Sequence, residues 1–339
     1  MISLAVRYRP KTFGDLIEQD AIKLILKDQI ETKTFKQAYL FCGPSGDGKT
    51  TTARIFANEI NHGQGNPIEM DAASHNGVDD VREIAQQAKT QSIDSEYKVY
   101  IIDECHSFSN NAWQAMLKLI EEPPMGVVFI FCTTDPQKIP KTILSRVQRY
   151  DFQRISQQGI VNRLNEILAY EKLNVPYSQE AVEYIAKLAD GGMRDAITML
   201  DKCISYSNEL TIENVVKALG IANYDIMFSL FDSIYLMDVS LMLEQIDSVH
   251  SSGVELKQFM RSFTDFVLDM CKYGLVNDLQ MVKIPNIYKE TMDKYTDAHY
   301  NVATKLLATL VKMNAEIKYD VNPKAMIEAT LLLHIGGME

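Results

Sequence analysis

No stretch of this 339-residue chain approaches the ~18 consecutive apolar residues that a membrane-crossing helix needs. The opening residues, Met1-Ile2-Ser3-Leu4-Ala5-Val6-Arg7, carry neither the basic start nor the long apolar run of a secretory leader. The expectation is a cytoplasmic protein with no membrane partner. Cysteine is sparse: Cys42, Cys105, Cys132, Cys203 and Cys271 include no Cys-x-x-Cys pair, and three of them sit beside apolar runs. That spacing argues against a disulfide framework or a zinc site and for buried, reduced thiols. Low-complexity and Pro/Ser-rich segments are missing as well, and a composition 46% hydrophobic and 23% charged is that of a chain that folds throughout. Positive charge is in deficit, with a net charge of −11. Residues 1–150 hold 17 basic and 19 acidic side chains (−2), which leaves 17 and 26 (−9) for residues 151–339. This balance weighs against a wholly basic nucleic-acid binder but leaves room for one local basic face that tracks phosphates.

The length suits two or three domains at ~100–200 residues each. Apolar runs at Ala38–Cys42, Val99–Ile102 and Val127–Cys132, bounded by turn or polar residues and separated by helical patterns, predict buried parallel strands with crossover helices. After about Phe152 the strand pattern stops and helical periodicity takes over, as in Ile160–Tyr170, Gln179–Leu188 and Arg194–Ser205. Thr211-Ile212-Glu213 places a capping residue before a short helix ending near Gly220. From there the runs Ile226–Tyr235, Leu256–Lys272 and Tyr300–Ile317 predict an all-helical module. The expected division is an α/β domain over 1–155, a small helical domain over 156–221 and an all-helical domain over 222–339.

The segment Gly43-Pro44-Ser45-Gly46-Asp47-Gly48-Lys49-Thr50 follows an apolar strand and precedes the helical run Thr51–Ala57, which is the setting of a Walker A phosphate loop. Its glycines let successive backbone N–H groups face phosphate oxygens, where the helix N-terminus adds partial positive charge. Residues 43–51 are therefore the expected nucleotide cradle, with Lys49 on the β- and γ-phosphates and the Thr50 hydroxyl on Mg²⁺. Asp47 is an odd neighbour for a triphosphate and should be costly unless it points outward or pairs with a base. Val99-Tyr100-Ile101-Ile102-Asp103-Glu104 supplies the Walker B partner, with Asp103 holding Mg²⁺ through its water shell and Glu104 polarising the attacking water. The fold class that follows is α/β, a P-loop NTPase of the AAA+ type with a RecA-like parallel sheet.

Beyond these two motifs the chain resembles the ATPase subunits of replication clamp loaders, of the bacterial DNA polymerase III gamma/tau type, over residues from about 4 to 220. Arg7-Tyr8-Arg9-Pro10-x-Thr12-Phe13 resembles that family's adenine-side motif, and Ile68–Ser74 its segment before a DNA-facing helix. Asp103-Glu104-Cys105-His106 is similar to its acidic box, and Leu117-x-x-x-Glu121-Glu122-Pro123-Pro124 to the helix end that follows. Thr133-Thr134-Asp135-Pro136 resembles its sensor-1 region, placing Thr134 or Thr133 near the γ-phosphate. Ile143-Leu144-Ser145-Arg146 is similar to its Ser-Arg-Cys motif, with Val147 in place of cysteine, and implies that Arg146 reaches the ATP of a neighbouring subunit. Gly191-Gly192-Met193-Arg194-Asp195-Ala196 resembles its sensor-2 motif, which implies Arg194 over the phosphates in cis; without the resemblance Arg194 is an exposed helix residue. Two departures stand out. Asn58–Pro67 has no four-cysteine zinc module, so no zinc is expected, and the chain stops after the helical collar, as a compact or phage-like version would.

The resemblance implies an ATPase, acting with ATP and Mg²⁺, in a pentameric ring with other clamp loader subunits that loads a sliding clamp onto primer-template DNA through backbone contacts. On that reading Arg82 contacts DNA, although a pair with Asp79 or Asp80 accounts for it equally well. Gln114 relays DNA contact to Glu104. Phe108 to Trp113 faces the clamp, unless the lone Trp113 belongs to the core. Two readings from other classes compete. A helicase shares the Asp-Glu-x-His pattern but needs a second strand-rich domain, and a non-catalytic scaffold subunit has no use for Lys49, Asp103, Glu104 and Arg146. A Holliday-junction translocase is a third, with no winged helix in evidence.

Overall fold

The structure, a computed structural model, describes residues 2–90, 92, 94–171, 176–220 and 224–337. The chain divides into two compact units, Met1–Val175 with Ile185–Ile204, and Pro176–Tyr184 with Ser205–Glu339.

The first unit opens with α1 (Leu4–Arg7) and α2 (Asp20–Glu31), then alternates strand and helix: β1 (Ala38–Cys42), α3 (Lys49–Ile60), β2 (Ile68–Asp71), α4 (Val78–Ala88), β3 (Lys98–Asp103), α5 (Asn110–Glu121), β4 (Val127–Thr133), α6 (Lys141–Leu144) and β5 (Gln148–Asp151). The five strands form one parallel sheet in the order β2-β3-β4-β1-β5. Of the three interior strands, β1 and β4 are buried at every residue, because helices cover both faces, and that is why their sequences run apolar without alternation.

Period-two geometry still sorts the side chains. Leu40, Tyr100, Ile102, Phe129 and Phe131 point to one face, under Val81 and Ile84 of α4 and Ala112, Trp113 and Met116 of α5. Tyr39, Phe41, Ile101, Val128 and Ile130 point to the other, under Ile22 and Leu26 of α2 and Ile55 and Phe56 of α3. The three strands read from apolar runs are all present, and β2 and β5 add the two edges. Gln148-Arg149-Tyr150-Asp151 escapes a hydrophobic scan because an edge strand buries one side chain, here Tyr150, and leaves its neighbours in solvent.

Three helices follow, α7 (Gln157–Tyr170), α8 (Gln179–Leu188) and α9 (Met193–Tyr206). The Ser156 hydroxyl caps α7 by accepting the Gly159 N–H at 3.0 Å. The boundary between the two units passes through α8 and near the end of α9. The second unit continues with α10 (Ile212–Leu219), α11 (Tyr224–Tyr235), α12 (Val239–Ser251), α13 (Leu256–Val276), α14 (Lys289–Met292), α15 (Asp297–Glu316) and α16 (Pro323–Gly336). Thr211 caps α10 as expected, and Gly220 ends it in a left-handed conformation at φ +66°. Residues 221–223, at the expected second domain boundary, lie outside the described residues. Phe228, Phe231, Phe263 and Phe266 build an aromatic core here, with the Phe228 and Phe266 rings edge to face at 4.8 Å. No helix among the described residues is long and apolar enough to cross a membrane.

Trp113 belongs to this architecture as core. It is 3% exposed and touches the Phe108 and Phe131 rings, so its side chain is not available to a partner surface. Of the five cysteines, Cys42, Cys105, Cys132 and Cys203 are buried, Cys271 is half-buried, and none is in a disulfide. Burial pushes the Cys105 and Cys132 thiols well above their ordinary value, which keeps them neutral and unreactive. Phe131 lies at the centre of the sheet with no exposed surface. Phe131→Ala should cost about 3–5 kcal/mol in chemical unfolding followed by circular dichroism, and a loss below 1 kcal/mol would mean that the sheet core is not organised as described.

Candidate functional site

In a parallel sheet every strand ends at the same edge, and register decides which residues meet there. Phe41 lies opposite Cys132 and Cys42 opposite Thr133, while Ile102 lies opposite Phe131. The loops that leave β1, β3 and β4 therefore start side by side, on the carboxyl edge where open α/β sheets carry their ligands.

The loop from β1 is tied at both ends. The Gly43 N–H donates to the Thr133 carbonyl at 3.2 Å, and the Phe152 N–H to the Cys42 carbonyl at 2.7 Å. Gly46 and Gly48 adopt φ of +78° and +101°, a region costly for any side chain, and α3 begins at Lys49. A Cβ on Gly46 would come within 3.1 Å of the Gly192 Cα. Met193 N–H in turn donates to the Gly46 carbonyl at 3.1 Å, so the turn before α9 is hydrogen-bonded to the loop. This is a cradle of small residues shaped for the close approach of a polyphosphate.

Its cation is turned inward. The Lys49 ammonium, 6% exposed, donates to the Gly43 carbonyl at 2.8 Å, to the Pro44 carbonyl, and to Asp47 Oδ1 at 3.0 Å. Asp47 therefore takes the second of the two options open to it from sequence: it is buried and paired with a base. Burial pushes its carboxyl above the usual carboxylate range, and Lys49 pulls the other way.

Thr50 and Asp103 meet directly, the hydroxyl donating to Oδ2 at 2.7 Å. A hydroxyl at the end of the phosphate loop and a carboxylate at the end of β3 are hard oxygen donors of the kind Mg²⁺ takes, so the residues present fit that ion. Glu104, the next residue, is held left-handed at φ +46°, a conformation that costs a non-glycine residue on the order of 1 kcal/mol and turns its side chain away from the strand's alternation. Its Oε2 accepts the Thr134 hydroxyl at 3.0 Å and lies 3.3 Å from His106 Nδ1, which also stands 3.1 Å from the Thr133 hydroxyl.

A single cavity is lined by Tyr8, Arg9 and Pro10, by Leu16 and Ile17, by residues 45–51, by Asp103, Glu104 and Thr134, and by Ile155, Arg163, Met193, Arg194 and Ile197. Most of the expected nucleotide-site residues are thus brought together from distant parts of the sequence. Arg194 is exposed on its helix and also faces this cavity, so the two readings of it coexist. Of the two threonines, Thr134 reaches the cavity, while the buried Thr133 hydroxyl accepts the Asp135 N–H. Arg7 departs from expectation: it pairs with Glu171 at 3.0 Å and is not in the cavity wall, which Tyr8, Arg9 and Pro10 supply. Gly43 and Pro44 contribute through their carbonyls on Lys49.

Arg146 lies outside its own cavity, partly exposed, in a 2.8 Å pair with Glu121, while Val147 is partly buried against the core. Arg82 pairs with Asp79 at 2.7 Å, but both side chains are well exposed, so the pair is weak and easily exchanged. Gln114 is exposed on α5 and makes no hydrogen bond to Glu104, whose side-chain partners are Thr134 and His106. Sequence reading missed His106 as a contact of Glu104 and Arg163 as a wall residue. The only available signal for His106 was its place two positions after Glu104; Arg163 carried none.

Three family descriptions match successive parts of the chain. Residues 61–156 match a family described as DNA polymerase III, delta subunit; 159–209 match the ATPase lid domain of the DNA polymerase III clamp loader subunit; and 210–336 match domain III of DNA polymerase III subunits gamma and tau. The tau subunit of Bacillus subtilis DNA polymerase III is 36% identical over 96% of this chain and 62% of its own length. The tau/gamma subunit of Haemophilus influenzae is 36% identical over 71% of this chain and 37% of its own. The chain thus spans less than two thirds of the length of these relatives. Among solved structures, the RuvB Holliday junction branch migration motor of Thermotoga maritima aligns with a TM-score of 0.54 at 19% identity, over 73% of this chain and 86% of that one, a likeness of fold.

Removing the Thr50 hydroxyl tests the cation locus. Thr50→Val should raise the Mg²⁺ concentration needed for half-maximal ATP binding by at least about tenfold in a calorimetric titration, and an unchanged requirement would place the cation elsewhere.

Proposed function

The chain belongs to the family of DNA polymerase III gamma and tau subunits, and from that membership we propose that it hydrolyses ATP to load a sliding clamp onto primer-template DNA. The observation that carries the proposal is the meeting of Lys49, the Thr50–Asp103 pair and the Thr134-held Glu104 around one cavity.

In this reading the backbone N–H groups of residues 45–50 and the Lys49 ammonium hold the β- and γ-phosphates. Thr50 and Asp103 would hold Mg²⁺, which would neutralise charge on the transferring phosphoryl group. Glu104 orients a water and accepts its proton, with the Thr134 hydroxyl and His106 fixing the carboxylate. Arg194 adds positive charge from the same chain. Tyr8, Arg9, Pro10, Leu16 and Ile17 form the base-side wall, and the Arg163 guanidinium, which donates to the Tyr8 carbonyl at 3.1 Å, fixes that wall to α7.

Arg146 serves the site of the next subunit. Its position outside its own cavity and its exchangeable Glu121 partner support that role, in which a neighbour completes the transition-state charge and ties hydrolysis to assembly. The division into a domain over 1–155, a lid over 156–221 and a collar over 222–339 is part of the proposal; the family matches at 159–209 and 210–336 support a lid followed by a separate helical domain, with the border between them at 209/210. So are the ring of five, the other subunits and the clamp as partners, and the cytoplasm as the place of action. Zinc has no part in it. Arg82 tracks the DNA backbone in the same proposal.

The test is steady-state ATP hydrolysis with and without primed DNA and the cognate clamp, with any subunits that co-purify. DNA and clamp together should stimulate more than either alone. Glu104→Gln and Arg146→Ala should each lower the stimulated rate by about 100-fold or more. Activity indifferent to the clamp would replace this proposal by another DNA-dependent AAA+ motor. Arg82→Ala should raise the DNA concentration for half-maximal stimulation by several fold; the same DNA dependence as wild type would take Arg82 off the DNA surface.

A further inference from the structure

An ammonium has three protons to donate, and on Lys49 all three are taken by the loop itself, by the Gly43 and Pro44 carbonyls and by Asp47 Oδ1. A phosphate oxygen can bind Lys49 only by replacing one of them. Two are neutral carbonyls of the chain; the third is an anion. Asp47 and Lys49 are 2% and 6% exposed, so the pair lies out of water, where the attraction between them is least screened.

The carboxylate has been given its place by the absence of a side chain. A Cβ on Gly43 would stand 2.1 Å from Asp47 Oδ2 and 2.7 Å from the Phe152 carbonyl, so only glycine at 43 leaves room for it. Oδ2 is itself buried and has no hydrogen-bond partner among the described residues. The carboxylate is therefore held mainly by Lys49, with a long contact of 3.4 Å from the Lys49 N–H. Once the ammonium turns to a phosphate, Asp47 is left as a buried anion beside a polyanion, and that arrangement is unfavourable.

We infer that Asp47 is a resident counter-ion which incoming nucleotide phosphate must displace from Lys49, and that this exchange sets the affinity of the site. The inference rests on the nucleotide-site reading above and adds to it a residue that weakens ATP binding. Asp47 acts through Lys49 and is an affinity-determining residue rather than a catalytic one. It holds the phosphate loop closed on its own lysine until nucleotide at sufficient concentration, or a partner that stabilises the bound form, tips the exchange.

The test is the dissociation constant of ATP and of ADP, measured by calorimetry with Mg²⁺ on the full chain, for wild type, Asp47→Asn, Asp47→Ser and Lys49→Met. Asp47→Asn keeps the shape and removes the charge; Asp47→Ser fits the same space and is read alongside it should the asparagine variant fail to fold. Both should bind ATP and ADP at least about tenfold more tightly than wild type, although the nucleotide-free protein loses a buried ion pair and unfolds at a lower temperature. A merely structural Asp47 would give the lower unfolding temperature without the tighter binding. Unchanged affinity in the folded variants overturns the inference. Weaker binding with a raised Mg²⁺ requirement also overturns it, by making Asp47 a support of the cation. Wild type that binds no ATP, like Lys49→Met, overturns the nucleotide-site reading itself and this inference with it.

Discussion

The hydrogen-bond ladder that joins β3, β4 and β1 in parallel is the constraint on which the rest of this structure depends. Parallel pairing brings the carboxyl ends of three strands to one edge, and the register between them decides that Gly43, Glu104 and Thr134 begin neighbouring loops. Both faces of these strands must be buried for the ladder to persist away from water, so two helical layers and two apolar clusters follow from it. A shift of one residue in β3 against β4 would turn Asp103 into the sheet face and separate the Thr50 hydroxyl from its carboxylate.

At that edge the site holds its charges in balance before any phosphate arrives. Lys49 is neutralised by Asp47, Glu104 is held by Thr134 beside His106, and Arg146 is paired with Glu121. Each of these charges has its partner within the chain. The loop and the wall beside it are also tied to the helices that follow the sheet. The Met193 N–H bond to the Gly46 carbonyl joins the start of α9 to the phosphate cradle, and the Arg163 bond to the Tyr8 carbonyl joins α7 to the base-side wall.

Much of the fold was legible because burial leaves a mark on composition. β1, β3 and β4 are central strands and read as unbroken apolar runs; α7, α8 and α9 carry helical periodicity; Thr211 and Gly220 announce the two ends of α10. β5 was not legible, since an edge strand buries only Tyr150 and looks polar in sequence. Trp113 was ambiguous for a related reason: aromatic side chains serve cores and interfaces alike, and only its contacts with Phe108 and Phe131 assign it to the core. The same holds for Arg7, whose place beside Tyr8 in the chain says nothing of whether it turns to the cavity or, as found, to Glu171.

The sequence by itself determined the chemistry on offer: a glycine-rich loop with Lys49 and Thr50, a strand ending in Asp103 and Glu104, and arginines at 146 and 194. These are set by local rules, because backbone curvature at glycine, helix initiation and strand burial each depend on a few neighbouring residues. Tertiary structure alone decided which of those groups meet. Asp47 could have pointed into solvent, and its burial against Lys49 uses the bare face of Gly43, where a Cβ would also meet Phe152, a residue more than a hundred positions away. Contacts of that separation are fixed by the packing of the whole sheet, which no local stretch of sequence encodes.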